Sequence, residues 1–124
     1  MPIDSKSHIL IVDDSGAIRS IVRKLLTQIG YSNIDEATDG AAALAKMAEK
    51  SYSLVISDWN MEPMNGKALL DHAQANRALA KIPFIMMTVQ ADQYKIIAAR
   101  YPGVVRFIDK PFSAEALQEK ISQL

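Results

Sequence analysis

The chain has 124 residues, 49% of them hydrophobic, enough for one core and too few for two ordinary domains. Lys plus Arg and Asp plus Glu balance at 14 each, which gives no charge footprint for direct nucleic-acid binding, and the lack of cysteine excludes disulfides, thiolate metal sites and cysteine nucleophiles. The longest apolar run, Ile82 to Val89, is far short of the roughly 20 residues that span a bilayer, so the expectation is one cytoplasmic domain over residues 1–124 without membrane insertion.

Ile9–Val12 is wholly apolar, as a strand covered on both faces is. Ile18, Ile21, Val22, Leu25, Leu26 and Ile29 then recur at helical spacing and form one stripe ended by Gly30. Asn33–Ala37 reads as a weaker, more polar strand, and Asp39 suits the cap of a second helix from Gly40 to about Lys50. Leu54–Ile56 is a third strand. The loop Asn60–Asn65 carries turn residues, and Gly66 to about Asn76 forms a helix with Leu69, Leu70 and Ala73 inward. Pro83–Thr88 supplies a fourth strand. A fourth helix runs from about Ala91 to Tyr101 and stops at Pro102-Gly103. Val104–Asp109 is the fifth strand. Ser113 opens the last helix, with Glu115 in its first turn and Leu117, Ile121 and Leu124 on its inner face.

Five strand–helix repeats imply an α/β fold: a doubly wound (βα)5 three-layer sandwich of the flavodoxin-like kind, with right-handed crossovers around a parallel sheet. Strands one, three and four are continuously apolar and belong in the middle. Asp35 and Glu36 in strand two, and Arg106 and Asp109 in strand five, mark edges, which gives the order 2-1-3-4-5.

In such a sheet the ligand crevice lies beyond the carboxyl ends of strands one and three, where the winding reverses. Asp13, Asp14 and Asp58 stand at those ends, and Thr88 and Lys110 close strands four and five. At about 5 Å and an effective dielectric of about 20, each like-charged pair costs roughly 3 kcal/mol, which favours protonation or a bound cation. Oxygen-only ligands suit Mg²⁺, which keeps several waters and leaves room for a phosphate oxygen. Lys110 adds a fixed positive charge, Thr88 a hydroxyl donor and the helix N-termini backbone N–H groups, a trap for a tetrahedral dianion beside a carboxylate. Asp58, the single acid after a buried strand, is the expected nucleophile and site of an aspartyl phosphate, with Asp13 and Asp14 as the metal-holding pair.

Four motifs carry a family resemblance: Ile11-Val12-Asp13-Asp14-Ser15, Ser57-Asp58-Trp59-Asn60-Met61, Met87-Thr88 and Asp109-Lys110-Pro111-Phe112. Their order and spacing resemble the receiver domain of two-component response regulators over essentially the whole chain, and within it the stand-alone chemotaxis regulators of the CheY type. The resemblance implies a phosphoacceptor signalling protein, not an enzyme in the ordinary sense, that assists its own phosphorylation and dephosphorylation. A sensor histidine kinase is the implied donor to Asp58. Mg²⁺ is held by Asp14, Asp58 and the backbone carbonyl of Asn60, with Asp13 acting through water. Lys110 contacts the phosphoryl oxygens, the Lys110-Pro111 bond is cis, Thr88 turns inward, and Phe107 follows into the space it vacates. The implied output surface is helix four, strand five and helix five, where Ala91, Tyr94, Lys95, Ile96, Phe107 and Lys120 meet an output protein such as a flagellar switch component. The expected state is a monomer without an effector domain, and Met1 with a complete fifth helix favours an uncut chain.

Three departures from the family pattern stand out. Met61 is followed by Glu62, with the proline displaced to Pro63, so Glu62 can reach toward the metal crevice. Val89 replaces a small residue and narrows access to Asp58. Phe107 replaces a tyrosine and lacks its hydroxyl. A phosphorelay intermediate, a phosphate sink and an unphosphorylated receiver-like interaction module stay open as alternatives. A phosphohydrolase of the haloacid dehalogenase type fits less well, because that chemistry wants Asp-x-Asp on one strand end and a cap. Simpler roles suffice elsewhere. Asp13-Asp14 alone reads as a helix cap, His8 and His72 as solvated, Met86 and Met87 as core, Met61 and Met64 as the underside of a loop, Lys46 and Lys50 as a solvated face, and Trp59 as a partly exposed neighbour of the site.

Overall fold

The computed structural model describes residues 3–62, 64–89, 94–100 and 104–124, without the side chains of residues 96–98. Ten elements alternate along the described chain: β1 (Ile9–Val12), α1 (Gly16–Ile29), β2 (Ile34–Ala37), α2 (Gly40–Glu49), β3 (Leu54–Asp58), α3 (Gly66–Gln74), β4 (Phe84–Thr88), α4 (Lys95–Arg100), β5 (Val105–Asp109) and α5 (Ala114–Ser122). The expected positions of Pro63, Ala91 and the Pro102-Gly103 stop lie outside the described residues, as does the side chain of Ile96. All pairings are parallel, and the sheet order is β2-β1-β3-β4-β5, as the pattern of apolar and charged strands requires.

The continuous apolar strands are apolar because each face of the sheet has its own core. Leu10 and Val12 of β1 pack with Ala43 and Met47 of α2 and Leu69, Leu70 and Ala73 of α3. Ile9 and Ile11 point the other way, into Val22 and Leu26 of α1 and Leu117 and Ile121 of α5. No helix among the described residues is long and apolar enough to cross a membrane.

Helix starts are set by side-chain caps at Ser15, Asp39, Asn65 and Ser113, which accept N–H bonds from Ile18, Ala42, Ala68 and Ala116. Ser15 therefore does the capping that Asp13-Asp14 suggested, because its hydroxyl reaches the third N–H of α1 while Asp13 is drawn into the sheet end. Gly30 ends α1 at φ 121, its N–H shared between the carbonyls of Leu26 and Thr27, a backbone state that costs glycine nothing.

The edges are held by charge. Asp35 accepts from Tyr52 Oη at 2.7 Å and Lys50 Nζ at 3.0 Å, so Lys50 is not simply a solvated lysine. These two contacts, Tyr52 foremost, hold the Asp35 carboxyl below the ordinary carboxylate range, while burial and then Asp35 push the Tyr52 hydroxyl up. On β5, Arg106 Nη2 donates to the Gln123 carbonyl at 3.1 Å.

One glycine is fixed by close approach. Gly66 opens α3 directly beneath the end of β3, its N–H donating to the Trp59 carbonyl at 2.9 Å. A Cβ there would sit 2.8 Å from the Asp58 carbonyl oxygen and 2.9 Å from Trp59 Cα, both backbone atoms that cannot swing away. Gly66→Ala is expected to cost about 1–3 kcal/mol by forcing α3 off the strand end. Urea denaturation measures this, and an unchanged midpoint would mean that α3 shifts without strain.

Candidate functional site

The strand register brings the polar strand ends to one rim. Val12 lies beside Ser57, Asp58 beside Met87 and Thr88 beside Asp109, so Asp13, Asp58, Thr88 and Lys110 are the groups that emerge where the ladders end. Asp13 is pinned by its own backbone. Its N–H donates to the Ala37 carbonyl at 3.2 Å, and its Oδ1 accepts from the Ser15 N–H at 2.9 Å. Asp58 Oδ1 accepts from the Asn60 N–H at 3.3 Å, which turns the loop after β3 back over the carboxylate. Lys110 is anchored through its N–H to the Thr88 carbonyl at 2.7 Å, and the Lys110-Pro111 peptide is cis.

Carboxylate oxygens of Asp13, Asp14 and Asp58 all lie within 4.8 Å of one another, with Asp13 and Asp58 buried and Asp14 exposed. Lys110 pairs with two of these three acids. Lys110 Nζ donates to Asp58 Oδ1 at 2.9 Å and lies 4.0 Å from Asp13 Oδ2. Asp13 Oδ2 is buried without a hydrogen-bond partner. Burial, and then the Asp58 charge, push the Asp13 carboxyl up to about 6, against the lowering pull of the Ser15 N–H and Lys110. An all-oxygen set with an orphaned buried acceptor fits a hard divalent cation, which would satisfy that oxygen and screen the repulsion. The three acids and Lys110 are thus brought together, and Thr88, buried at the end of β4, is tied to Lys110 through its carbonyl. Glu62 is exposed on the loop and is not one of the clustered acids.

One expectation is corrected beside the site. Trp59 is buried, 8% exposed, because its indole packs against Tyr94 (ring centroids 5.0 Å apart) and edge-on against Phe107 (5.1 Å). Phe107 is buried and stacked on Tyr94 at 4.9 Å and 14°. Of the other expected output residues, Lys95 is exposed, Tyr94 and Lys120 are half-buried, and Ala91 and the Ile96 side chain fall outside the described residues. Val89 stands 71% exposed and, with Ile18, Ile21, Leu25 and Phe112, lines an apolar groove of about 330 Å³ that Lys110 borders.

Sequence reasoning missed Gly66, Ser15 and Arg19. Arg19 Nη1 donates to the Asp13 carbonyl at 2.7 Å while its Nε pairs with Glu36 at 2.9 Å. The signal was there in principle: an arginine one turn after a helix cap points back toward the corner that the cap closes.

Residues 9–122 match the response regulator receiver domain family. Among curated relatives, the chemotaxis protein CheY-3 of Vibrio cholerae is 38% identical over 122 residues, 98% of this chain and 94% of that protein. The chemotaxis protein CheY of Pseudomonas aeruginosa is 39% identical over 116 residues, 94% of each chain. The solved structure of the chemotaxis response regulator CheY4 of Vibrio cholerae aligns with a TM-score of 0.83 at 28% identity, covering 95% of this chain and 98% of that one.

The raised Asp13 carboxyl makes a signed prediction for the metal-free protein. The unfolded chain gives up this proton near 3.8 and the folded chain near 6, so the stability the group contributes is complete below 3.8 and lost as pH rises through 6. Asp13→Asn is therefore expected to stabilise the metal-free protein at alkaline pH by up to about 3 kcal/mol, with the gain shrinking on acidification. Urea denaturation in EDTA at about pH 8 and about pH 4 tests it. An equal gain at both, or none at the higher pH, contradicts the assignment.

Proposed function

We propose that this chain, which belongs to the response regulator receiver family, accepts a phosphoryl group on Asp58 from a phosphohistidine donor and passes the signal to a partner protein through α4, β5 and α5. The observation that carries the reading is Lys110 Nζ at 2.9 Å from Asp58 Oδ1, inside a group of three carboxylates whose oxygens lie within 4.8 Å of one another. No simple structural role asks for that arrangement, since it costs stability.

Asp14, Asp58 and the Asn60 backbone carbonyl would hold Mg²⁺, with Asp13 reaching it through water. The ion supplies charge neutralisation for the crowded acids and for the incoming phosphoryl oxygens. An Asp58 carboxylate oxygen attacks phosphorus in line with the donor nitrogen. The new O–P bond forms as the P–N bond breaks, and its electron pair leaves on the imidazole of the histidine kinase. Lys110 then moves its charge from Asp58 to the phosphoryl oxygens, and Thr88 donates its hydroxyl to them. Binding by Lys110 and Thr88 that exists only in the phosphorylated form biases the packing of the output face. The protein is a signalling switch whose catalytic groups serve its own modification.

The named relatives make chemotaxis the favoured pathway, with a flagellar switch component as the output partner and the cytoplasm as the location. Tyr94, Lys95, Phe107 and Lys120 form the output surface, Phe107 acting from beneath it through Tyr94.

Labelling tests the proposal. Incubation with acetyl phosphate and Mg²⁺, read by intact mass, is expected to add one phosphoryl group to the wild type and none to Asp58→Asn, whose circular dichroism stays native. Trp59 fluorescence should change on Mg²⁺ addition and again with beryllofluoride. Labelling retained in Asp58→Asn places the acceptor elsewhere, and no labelling of the wild type by acetyl phosphate or a histidine kinase favours a receiver-like binding module.

A further inference from the structure

Arg19 holds a position that the phosphoacceptor chemistry does not by itself explain. Its side chain is 18% exposed, and the guanidinium spans two partners: Nη1 donates to the Asp13 carbonyl at 2.7 Å, and Nε pairs with Glu36 Oε1 at 2.9 Å. Glu36 is itself held from the other side. Arg23 Nε binds its Oε2 at 2.7 Å, and Arg23 Nη2 donates to the Ile34 carbonyl at 3.0 Å. These bonds, Arg23 foremost, keep the Glu36 carboxyl below its ordinary range, so the clamp stays charged.

The carbonyl that Arg19 grips lies in the peptide plane joining Asp13 to Asp14. That plane is rigid, so fixing its oxygen fixes the rotation of Asp13 and the axis from which the Asp14 side chain departs. The other side of Asp13 is already tied, its N–H to Ala37 and its Oδ1 to Ser15. With Arg19 in place, Asp13 Oδ2 is the one oxygen of that residue left for the crevice. Without Arg19, the peptide can tip and carry Asp14, the exposed member of the acidic group, away from the other two.

We propose that Arg19, braced by Glu36 and Arg23, is a positioning residue for the divalent cation: it sets the Asp13-Asp14 peptide so that both carboxylates face the crevice beside Asp58. This rests on the cation reading above and goes beyond it in naming what orients the ligands. Arg19 touches neither cation nor phosphoryl group, and its influence passes through one carbonyl.

The test is Mg²⁺ titration by calorimetry of wild type and Arg19→Met, which keeps the apolar stem and removes the donors. The dissociation constant is expected to rise about tenfold, the lower end of what loss of such an outer partner does to metal affinity. Labelling by acetyl phosphate should slow at low Mg²⁺ and return to the wild-type rate at saturating Mg²⁺, because the chemical groups are intact. A purely structural role would lower the urea midpoint in EDTA and leave the dissociation constant unchanged, and that result overturns the proposal. Should Arg19→Met fail to fold, Arg19→Gln stays polar but is too short to reach the Asp13 carbonyl; an unchanged dissociation constant there overturns it equally. A wild type that binds no Mg²⁺ sinks the cation reading and this inference with it, whereas normal wild-type binding with an unaffected variant sinks the inference alone.

Discussion

Everything at the rim follows from putting three carboxylates around one lysine. Oxygens within 4.8 Å of one another repel by roughly 3 kcal/mol per pair at an effective dielectric of about 20, and Lys110 can lie against only one of them closely. It chooses Asp58, and Asp13 is left with a buried oxygen that nothing satisfies. The protein tolerates this because the frame beneath is rigid: four parallel ladders, two cores and a helix start jammed against β3 at Gly66 leave the strand ends nowhere to relax. The repulsion is therefore held in place until a cation or a proton arrives.

The same frame carries the consequence outward. Trp59 follows Asp58 in sequence, and its ring meets Tyr94, just ahead of α4, and Phe107 on β5. Three aromatic rings thus form an unbroken path from the residue after Asp58 to two of the elements assigned to output. Phe107 is held by stacking, not by a hydroxyl that could trade partners, so its burial depends on where Tyr94 sits. A displacement of Tyr94 would loosen both of its ring contacts, with Phe107 and with Trp59, so the loop after β3 and the ring on β5 share one packing partner.

Much of this was legible in the residues. Strand order was readable because burial on two faces demands uninterrupted apolar runs, and Ile9–Val12 and Phe84–Thr88 have them, while Asp35, Glu36 and Arg106 can only sit at edges. The reactive groups were readable because each ends such a run. What escaped was everything that depends on contacts across the fold. The burial of Trp59 is a property of Tyr94 and Phe107 meeting it, and the capping by Ser15 hides behind the more conspicuous Asp13-Asp14. Arg19 escaped for the same reason, since its partners are a carbonyl six residues back and a glutamate on the edge strand. Periodicity reports which face a residue takes and says nothing about which distant atom its far end reaches.

That distinction separates the two kinds of residue around the crevice. Among the described residues, only two buried side-chain polar atoms lack a partner: Arg106 Nε at the far edge and Asp13 Oδ2. An unsatisfied buried carboxylate oxygen breaks the rule that a stable interior obeys, and sites of function are where such breaches accumulate. The surrounding residues obey the rule strictly. Ser15, Asn60, Ala37 and Arg19 each satisfy one atom near the breach, and every bond they make removes a way for Asp13 or Asp58 to turn aside. The acids are costly because their neighbours are well bonded. It is this contrast, an unsatisfied oxygen within a fully committed shell, that makes the crevice a place where adding one divalent ion or one phosphoryl group changes the energy of the whole rim.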